Sequence, residues 1–166
     1  MEMIRKEMSE KLTDAEKILV GIGAEWKLGD SERESEIEKA SGRLREMLAD
    51  KDYYIISTLA KENLERLGFE SSHSVAPLDV SLTEEEWNKY TDWLSRTLNR
   101  KLVILELGEG FKHPSLIRWP FERTTLINNK AYMYRIHKMF FQLTDEISGK
   151  AAAVESDSVA FFAQWN

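Results

Sequence analysis

The sequence predicts an α/β fold, namely a three-layer α/β/α Rossmann-like domain built on a parallel sheet. The alternation of two kinds of segment leads to this prediction. Short apolar or β-branched runs alternate with segments whose apolar residues recur at helical spacing. Strands separated by helices in this way form βαβ units, whose right-handed crossovers generate a parallel sheet. Because 166 residues suit one hydrophobic core, we expect a single domain over residues 1–166.

The helices and strands are predicted from the periodicity of apolar residues. Ile4, Met8, Leu12 and Ala15 recur at helical spacing and define a first amphipathic helix. Five strands are predicted, at 17–20, 53–58, 101–107, 131–136 and 151–154. Further helices are expected at 31–49, 61–67, from Thr83 onwards, at 114–125 and up to Trp165. Residues 70–81 are predicted to form a loop, and 143–147 a turn or short helix.

Local signals define the ends of several helices. Thr83 followed by Glu86 fits a capping box, and Gly68 suits the end of the short helix before it. Ser156 or Asp157 is expected to cap the last helix. Arg118 and Glu122 stand four residues apart, which favours an ion pair on a helix surface.

Composition excludes several classes of protein. With 23 Lys and Arg against 29 Asp and Glu, the net charge is −6, which argues against a nucleic-acid partner. The chain has no cysteine, so disulfides, a thiol nucleophile and a Cys-ligated zinc are excluded, and a reducing cytoplasmic location is expected. Its three histidines are scattered, so we expect no metal site. No apolar run is long enough for a membrane span, and 1–11 lacks the apolar core of a signal peptide.

Two predicted strands end in a Gly-x-Gly sequence. One is Gly21-Ile22-Gly23 and the other is Gly108-Glu109-Gly110. In parallel sheets ligands bind beyond the carboxyl ends of the strands, where glycine lets the backbone approach a phosphate or a ribose closely. Tight turns also require glycine, so each motif alone has a purely structural explanation. The two together favour a nucleotide-binding site.

Several segments, taken in order, carry a resemblance to a known family. They are 18–25 with its glycine turn, 53–69 ending in Gly68-Phe69, 102–122, 130–137 and Ser156-Asp157-Ser158-Val159. This pattern resembles the sirtuin family, whose NAD-binding Rossmann-like domain is shared with deoxyhypusine synthase. The block from Leu105 to Glu122 most resembles bacterial sirtuin-like proteins of the macrodomain-linked type. The resemblance implies NAD or ADP-ribose as ligand, and the implied contacts are Gly21, Gly23, Glu25, Thr58, Gly108, Glu109, Gly110, His137 and Asp157.

The sequence departs from the family at the positions that carry its chemistry. The family's catalytic Asn and Asp correspond to Leu59 and Lys61, which supply neither an amide nor a carboxylate beside the nicotinamide. No histidine clearly matches the catalytic one. His73 lies in the corresponding loop, although alignment through Ala76-Pro77 places Leu78 there, and a shifted alignment brings Asn63 towards the site. The four cysteines of the zinc module are absent, so the resemblance implies a shortened, zinc-free domain.

These observations lead to one expected function and two alternatives. We expect a degenerate sirtuin-like domain that binds an adenine nucleotide with little or no deacylase activity, a pseudoenzyme. One alternative is an active NAD-dependent deacylase or ADP-ribosyltransferase with rearranged catalytic residues. The other is a structural or interaction protein with an empty cleft.

The C-terminal segment predicts self-association. It carries Phe161, Phe162 and Trp165, which pack either on the sheet of the same chain or on a second copy. Loss of the family's small domain would also expose apolar surface. We therefore expect a homo-oligomer.

Overall fold

The computed structural model describes all residues, 1–166. Six strands form one parallel sheet in the order β3-β2-β1-β4-β5-β6. The strands are β1 (Lys17–Ile22), β2 (Tyr53–Ser57), β3 (Ser74–Val75), β4 (Leu102–Leu107), β5 (Ala131–His137) and β6 (Ala151–Glu155). The helices are α1 (Glu2–Asp14), α2 (Ser31–Leu48), α3 (Lys61–Arg66), α4 (Glu84–Ser95), α5 (Arg118–Ile127) and α6 (Ser158–Ala163).

Helices cover both faces of the sheet, which confirms the predicted three-layer α/β fold. One apolar cluster joins α1, α2, α3 and α6 to the face that carries Ile18, Val20 and Ile22. A second cluster joins α4 and α5 to the opposite face, which carries Leu19 and Ile104. Because both faces are buried, the central strands β1 and β4 are buried and mostly apolar along their length instead of alternating with polar residues. No helix combines the length and apolarity required to span a membrane.

The five predicted strands are all present, within a few residues of their expected bounds. The sixth, β3, lies inside the segment 70–81 that was predicted to be a loop. It has only two residues, which pair with Ile55 and Ile56 of β2, and so short a strand leaves no periodic signal. The 114–125 helix begins later than predicted, at Arg118.

The predicted helix ends are largely confirmed. The Thr83 hydroxyl accepts the Glu86 N–H at 3.1 Å, and the Glu86 carboxylate accepts the Thr83 N–H at 3.2 Å, so the capping box is complete. Asp157, rather than Ser156, caps α6 by accepting the Ala160 N–H at 2.9 Å. Gly68 follows α3 with a φ of 85°, a left-handed conformation that favours glycine.

The C-terminal aromatic residues pack within the chain itself. Phe161 and Phe162 are fully buried in the cluster formed with α1 and α2. Trp165 packs edge-on against Phe161, with ring centroids 5.6 Å apart. Of the two packing modes expected for this segment, the structure therefore shows the one on the chain's own core.

Gly21 lies inside β1 and allows α5 to pack against the sheet. A Cβ at this position would stand 2.7 Å from side-chain atoms of both Ile117 and Phe121. These atoms belong to a packed core and have little room to move. The absence of a side chain at Gly21 therefore serves helix packing, while its predicted contact with a ligand stays a prediction.

We predict that Gly21→Ala lowers the free energy of unfolding by about 1–3 kcal/mol, because the added methyl group overpacks the contact with α5. Chemical denaturation measures this change. Gly149→Ala is the matched control, since nothing lies within 4 Å of a Cβ built there. Equal stability of the two variants would contradict the packing role of Gly21.

Candidate functional site

The candidate site lies where the order of the strands reverses, between the carboxyl ends of β1 and β4. From β1 the chain proceeds to β2 and β3 on one side, and from β4 to β5 and β6 on the other. In doubly wound sheets this switch point is the usual position of a ligand. Gly23 and Gly108 pack directly against each other here, since a Cβ on Gly23 would stand 2.5 Å from the Gly108 carbonyl oxygen. Gly108 itself has a φ of 69°, which a side chain disfavours.

Glu25 crosses this edge from the turn after β1 towards β5 and α6. Its Oε1 accepts hydrogen bonds from the Ser158 N–H at 2.8 Å and the Ser158 hydroxyl at 2.7 Å. Its Oε2 accepts the Lys138 N–H at 3.2 Å. The Trp26 indole N–H in turn donates to the Ser158 hydroxyl at 2.8 Å. The Glu25 carboxylate therefore occupies donors that could otherwise bind a ligand anion.

Glu109 crosses the edge in the opposite direction, from the end of β4 towards β2. Its Oε1 lies 3.4 Å from the Thr58 hydroxyl, and β1 is the strand between β4 and β2. The Glu109 side chain therefore passes over the carboxyl end of β1. The residue is only 4% exposed, and its Oε2 is buried without any hydrogen-bond partner. Burial raises the pKa of the Glu109 carboxyl to about 7.

A buried ion network lies beneath Glu109, on the face of the sheet that α5 covers. Arg135 on β5 binds Glu106 on β4 through two hydrogen bonds, of 2.5 and 3.0 Å. Its Nη1 also donates to Glu122 on α5 at 3.0 Å. Arg118 lies 3.6 Å from Glu106 and donates to the Glu109 carbonyl oxygen at 3.2 Å. The predicted surface pair between Arg118 and Glu122 is thus wrong, because both side chains face inward to charges on the sheet.

His137 ends β5 close to Glu25. Its Nδ1 accepts the N–H groups of Met139 and Phe140, both at 2.9 Å. This arrangement fixes the neutral ring with its proton on Nε2. Burial lowers the pKa of His137, although the Glu25 carboxylate 3.7 Å away opposes that shift in part. The ring therefore offers a neutral N–H donor at the edge.

The other residues predicted to contribute to the site make their contacts within the chain. Asp157 caps α6 and pairs with Arg33 at 2.9 Å. Gly110 faces the Phe140 ring, 3.3 Å from where its Cβ would stand. Asn63 on α3 accepts the Leu28 N–H at 2.9 Å and donates to the Trp26 carbonyl at 3.2 Å. Its amide therefore supports the turn after β1 and is not free to contact a reacting group.

His73 lies at the opposite end of the sheet. Its ring stacks on Tyr53, the first residue of β2, with centroids 4.6 Å apart, and its Nδ1 is 3.1 Å from the Tyr53 carbonyl oxygen. About 13 Å of strand separate Tyr53 from Ser57 at the carboxyl end. The structure thus does not bring His73 to the predicted site, and it cannot act there as a base.

An aromatic rim at this edge was not predicted. Phe111 is 55% exposed, its ring lies 4.0 Å from the Arg118 guanidinium, and it packs edge-on against Phe140 at 5.2 Å. The sequence offered a partial signal for the charges below the rim, since Glu106 and Arg135 interrupt otherwise apolar strands. Nothing in the sequence distinguished Phe111 from a core residue.

Several surface hollows lie away from this edge. One of about 400 Å³ borders α1 and the C-terminal residues, and two of about 330 and 360 Å³ flank α5. At the switch point the side chains of Glu25 and Glu109 cross the edge. No cluster of three or more His, Asp or Glu side chains could hold a metal ion.

No protein-family model matches the sequence, and no curated protein matches it.

Proposed function

We propose that this chain is a degenerate sirtuin-like, Rossmann-type domain that binds an adenine nucleotide of the NAD or ADP-ribose type at the carboxyl edge of β1 and β4. The buried, unpartnered Oε2 of Glu109 is the observation that carries this proposal. Buried polar atoms in folded proteins nearly always have a hydrogen-bond partner, so an orphan at the switch point favours a partner supplied by a ligand. The close approach of Gly23 and Gly108 and the exposed Phe111 ring support the same location.

The residues at this edge fit the nucleoside part of such a ligand better than its pyrophosphate. Phe111 offers an aromatic face for a base, while Glu109, Thr58 and His137 offer polar groups for a sugar or a base edge. The Ser158 and Lys138 N–H groups, which could hold a phosphate, already bind the Glu25 carboxylate. A pyrophosphate therefore does not fit at the position of Glu25, and the phosphates of a bound nucleotide would lie outside it.

The same domain is proposed to be a cytoplasmic pseudoenzyme without zinc. Leu59 is a buried apolar residue where the resemblance expects the catalytic amide, and the Lys61 N–H binds Asp79 at 2.8 Å. An oriented general base and positioning groups each contribute about 100-fold or more to catalysis. His73 and Asn63 do not replace them, because one is distant and the other is engaged.

An interaction protein that binds no nucleotide is the second candidate. Glu25 favours it, because this side chain closes the switch point with hydrogen bonds to the chain itself. The two candidates differ in one measurable property, which is whether any nucleoside stabilises the fold.

We predict that adenosine, ADP-ribose and NAD raise the melting temperature of the protein, whereas inorganic pyrophosphate does not. A ligand at 100 times its Kd stabilises the folded state by about 2.7 kcal/mol. Differential scanning fluorimetry at millimolar ligand measures the shift. If none of the three nucleosides and nucleotides shifts the melting temperature, the nucleotide proposal fails and the interaction protein takes its place.

Phe111→Ala locates the binding site in the same assay. Removal of the aromatic face should weaken adenosine binding at least about five-fold, since base–aromatic stacking contributes on the order of 1–3 kcal/mol. Leu98→Ala is the control, because Leu98 is 54% exposed and precedes β4, at the amino end of the sheet. Equal losses in the two variants would place the ligand elsewhere.

We predict that incubation with NAD and an acylated peptide releases no nicotinamide above the uncatalysed background, because no group at the edge is placed for the family's chemistry. Chromatography of the free nicotinamide measures turnover. Heat-denatured protein provides the background. Release that disappears in Glu109→Gln would instead support an active deacylase or ADP-ribosyltransferase.

We further propose a homo-oligomer that forms through α5. Its outer side exposes Trp119, Leu126 and Ile127, and a hollow of about 330 Å³ on one flank and one of about 360 Å³ on the other border this ridge. A ridge with a groove beside it suits two-fold packing on a second copy of itself. Light scattering at tens of micromolar should show a dimer or larger species that Ile127→Glu reduces to a monomer. A monomeric wild-type protein would refute this assembly.

A further inference from the structure

The charges beneath the carboxyl edge do not balance. The network contains three carboxyl groups, on Glu106, Glu109 and Glu122, and two guanidinium groups, on Arg118 and Arg135. Arg135 binds both Glu106 and Glu122, and Arg118 lies nearest to Glu106. Glu109 is thus the carboxyl without a cation of its own, and Arg118 reaches its backbone carbonyl, not its carboxylate.

The charged groups around Glu109 come from every neighbouring element. Glu106 lies on its own strand, Arg118 and Glu122 on α5, and Arg135 and His137 on β5, with Glu25 on the turn after β1. The element on the remaining side is the end of β2, which presents the uncharged Thr58 hydroxyl. A negative charge at Glu109 would therefore be the third in a network whose other two carboxylates are already matched by two guanidinium groups.

We propose that Glu109 binds the ligand of this edge as an uncharged carboxylic acid, donating the O–H of Oε2 to a hydrogen-bond acceptor on the ligand, either a ring nitrogen or a carboxamide oxygen. This inference rests on the proposed function and names the chemistry that the ligand presents. The Oε2 of Glu109 accepts no hydrogen bond from the chain, so it is the oxygen that can carry the proton, and a protonated carboxyl has one donor to offer. Ionised Glu109 has only acceptors and repels the same ligand atom.

The protonation state sets how binding varies with pH. The raised pKa of Glu109, about 7, means that the acid form predominates at pH 6 and is scarce at pH 9. If only the acid form binds, the apparent Kd is inversely proportional to the fraction of the protein in that form. Burial lowers the pKa of His137, so its ring loses its proton at a lower pH than an ordinary histidine and adds no opposing change between neutral pH and pH 9.

Calorimetric titration at pH 6 and pH 9 tests this inference with two probes. Adenosine carries ring nitrogens and no carboxamide, and benzamide carries a carboxamide and no ring nitrogen. We expect the probe that Glu109 recognises to bind the wild-type protein about 100-fold more weakly at pH 9. Glu109→Gln keeps an N–H donor without titrating, so it should bind that probe with a flat pH profile. Glu38→Gln, an exposed change on α2, should behave like the wild type.

Each outcome of the titration decides a separate question. Binding to the wild-type protein that is independent of pH, or stronger at pH 9, overturns the inference and leaves the proposed function in place. If neither probe, nor ADP-ribose or NAD, binds the wild-type protein or Glu109→Gln at any pH, the proposed function fails and the inference fails with it.

The protein without ligand provides a second measurement. A carboxyl whose pKa is raised in the folded state holds more protons than the unfolded chain does, so stability falls as pH rises from the unfolded value towards about 7. The melting temperature of Glu109→Gln minus that of the wild type should therefore increase between pH 5 and pH 8. A difference that is constant over this range shows that Glu109 is ionised throughout, and it overturns the inference.

Discussion

The bidentate pair between Glu106 and Arg135 is the interaction on which the carboxyl edge depends. Both side chains are 1% exposed and lie on paired positions of β4 and β5. Removing such charges from water is expensive, and only a close geometry with further hydrogen bonds offsets the cost. Arg135 meets that requirement through its additional bonds to Glu122 and the Gln142 carbonyl. Loss of either partner would leave an uncompensated charge inside the fold, so the pair fixes how α5 and the loop after β5 sit over the sheet.

The position of α5 couples this ion pair to the switch point. The helix packs its Phe121 ring against Gly21, which aligns with Glu106 on the neighbouring strand. Its first residue, Arg118, then reaches both Glu106 and the Glu109 backbone. Aligned positions on the adjacent strands β1, β4 and β5 are thus occupied by Gly21, Glu106 and Arg135. Each of them contacts a different residue of α5, namely Phe121, Arg118 and Glu122 in that order. The geometry of Glu109 follows from this packing.

Two glutamates give the switch point its unusual character. Glu25 and Glu109 cross the edge in opposite directions, one from β1 towards β5 and α6 and the other from β4 towards β2. Glu25 satisfies both of its oxygens within the chain, whereas Glu109 leaves one oxygen unpaired. The side of the edge towards β5 and α6 therefore holds a carboxylate bound by donors of the chain, Glu25, and the side towards β2 holds Glu109, whose Oε2 can carry a proton. This asymmetry is the physical basis for expecting a ligand with little anionic charge at the edge itself.

The sequence by itself determined the layers of the fold, because apolar spacing, strand composition and helix caps are local properties. Those signals predicted five strands, the capping box at Thr83 and the convergence of the two glycine turns, since carboxyl ends of parallel strands share one edge. The tertiary structure decided the rest. It showed β3, which is too short for a periodic signal, and it placed His73 at the far end and Gly21 beneath α5. It alone showed that Arg118 turns inward and that the Glu109 oxygen has no partner. Such features depend on contacts between residues that are far apart in the sequence. Local sequence patterns do not indicate which of these residues the packing of the fold brings together.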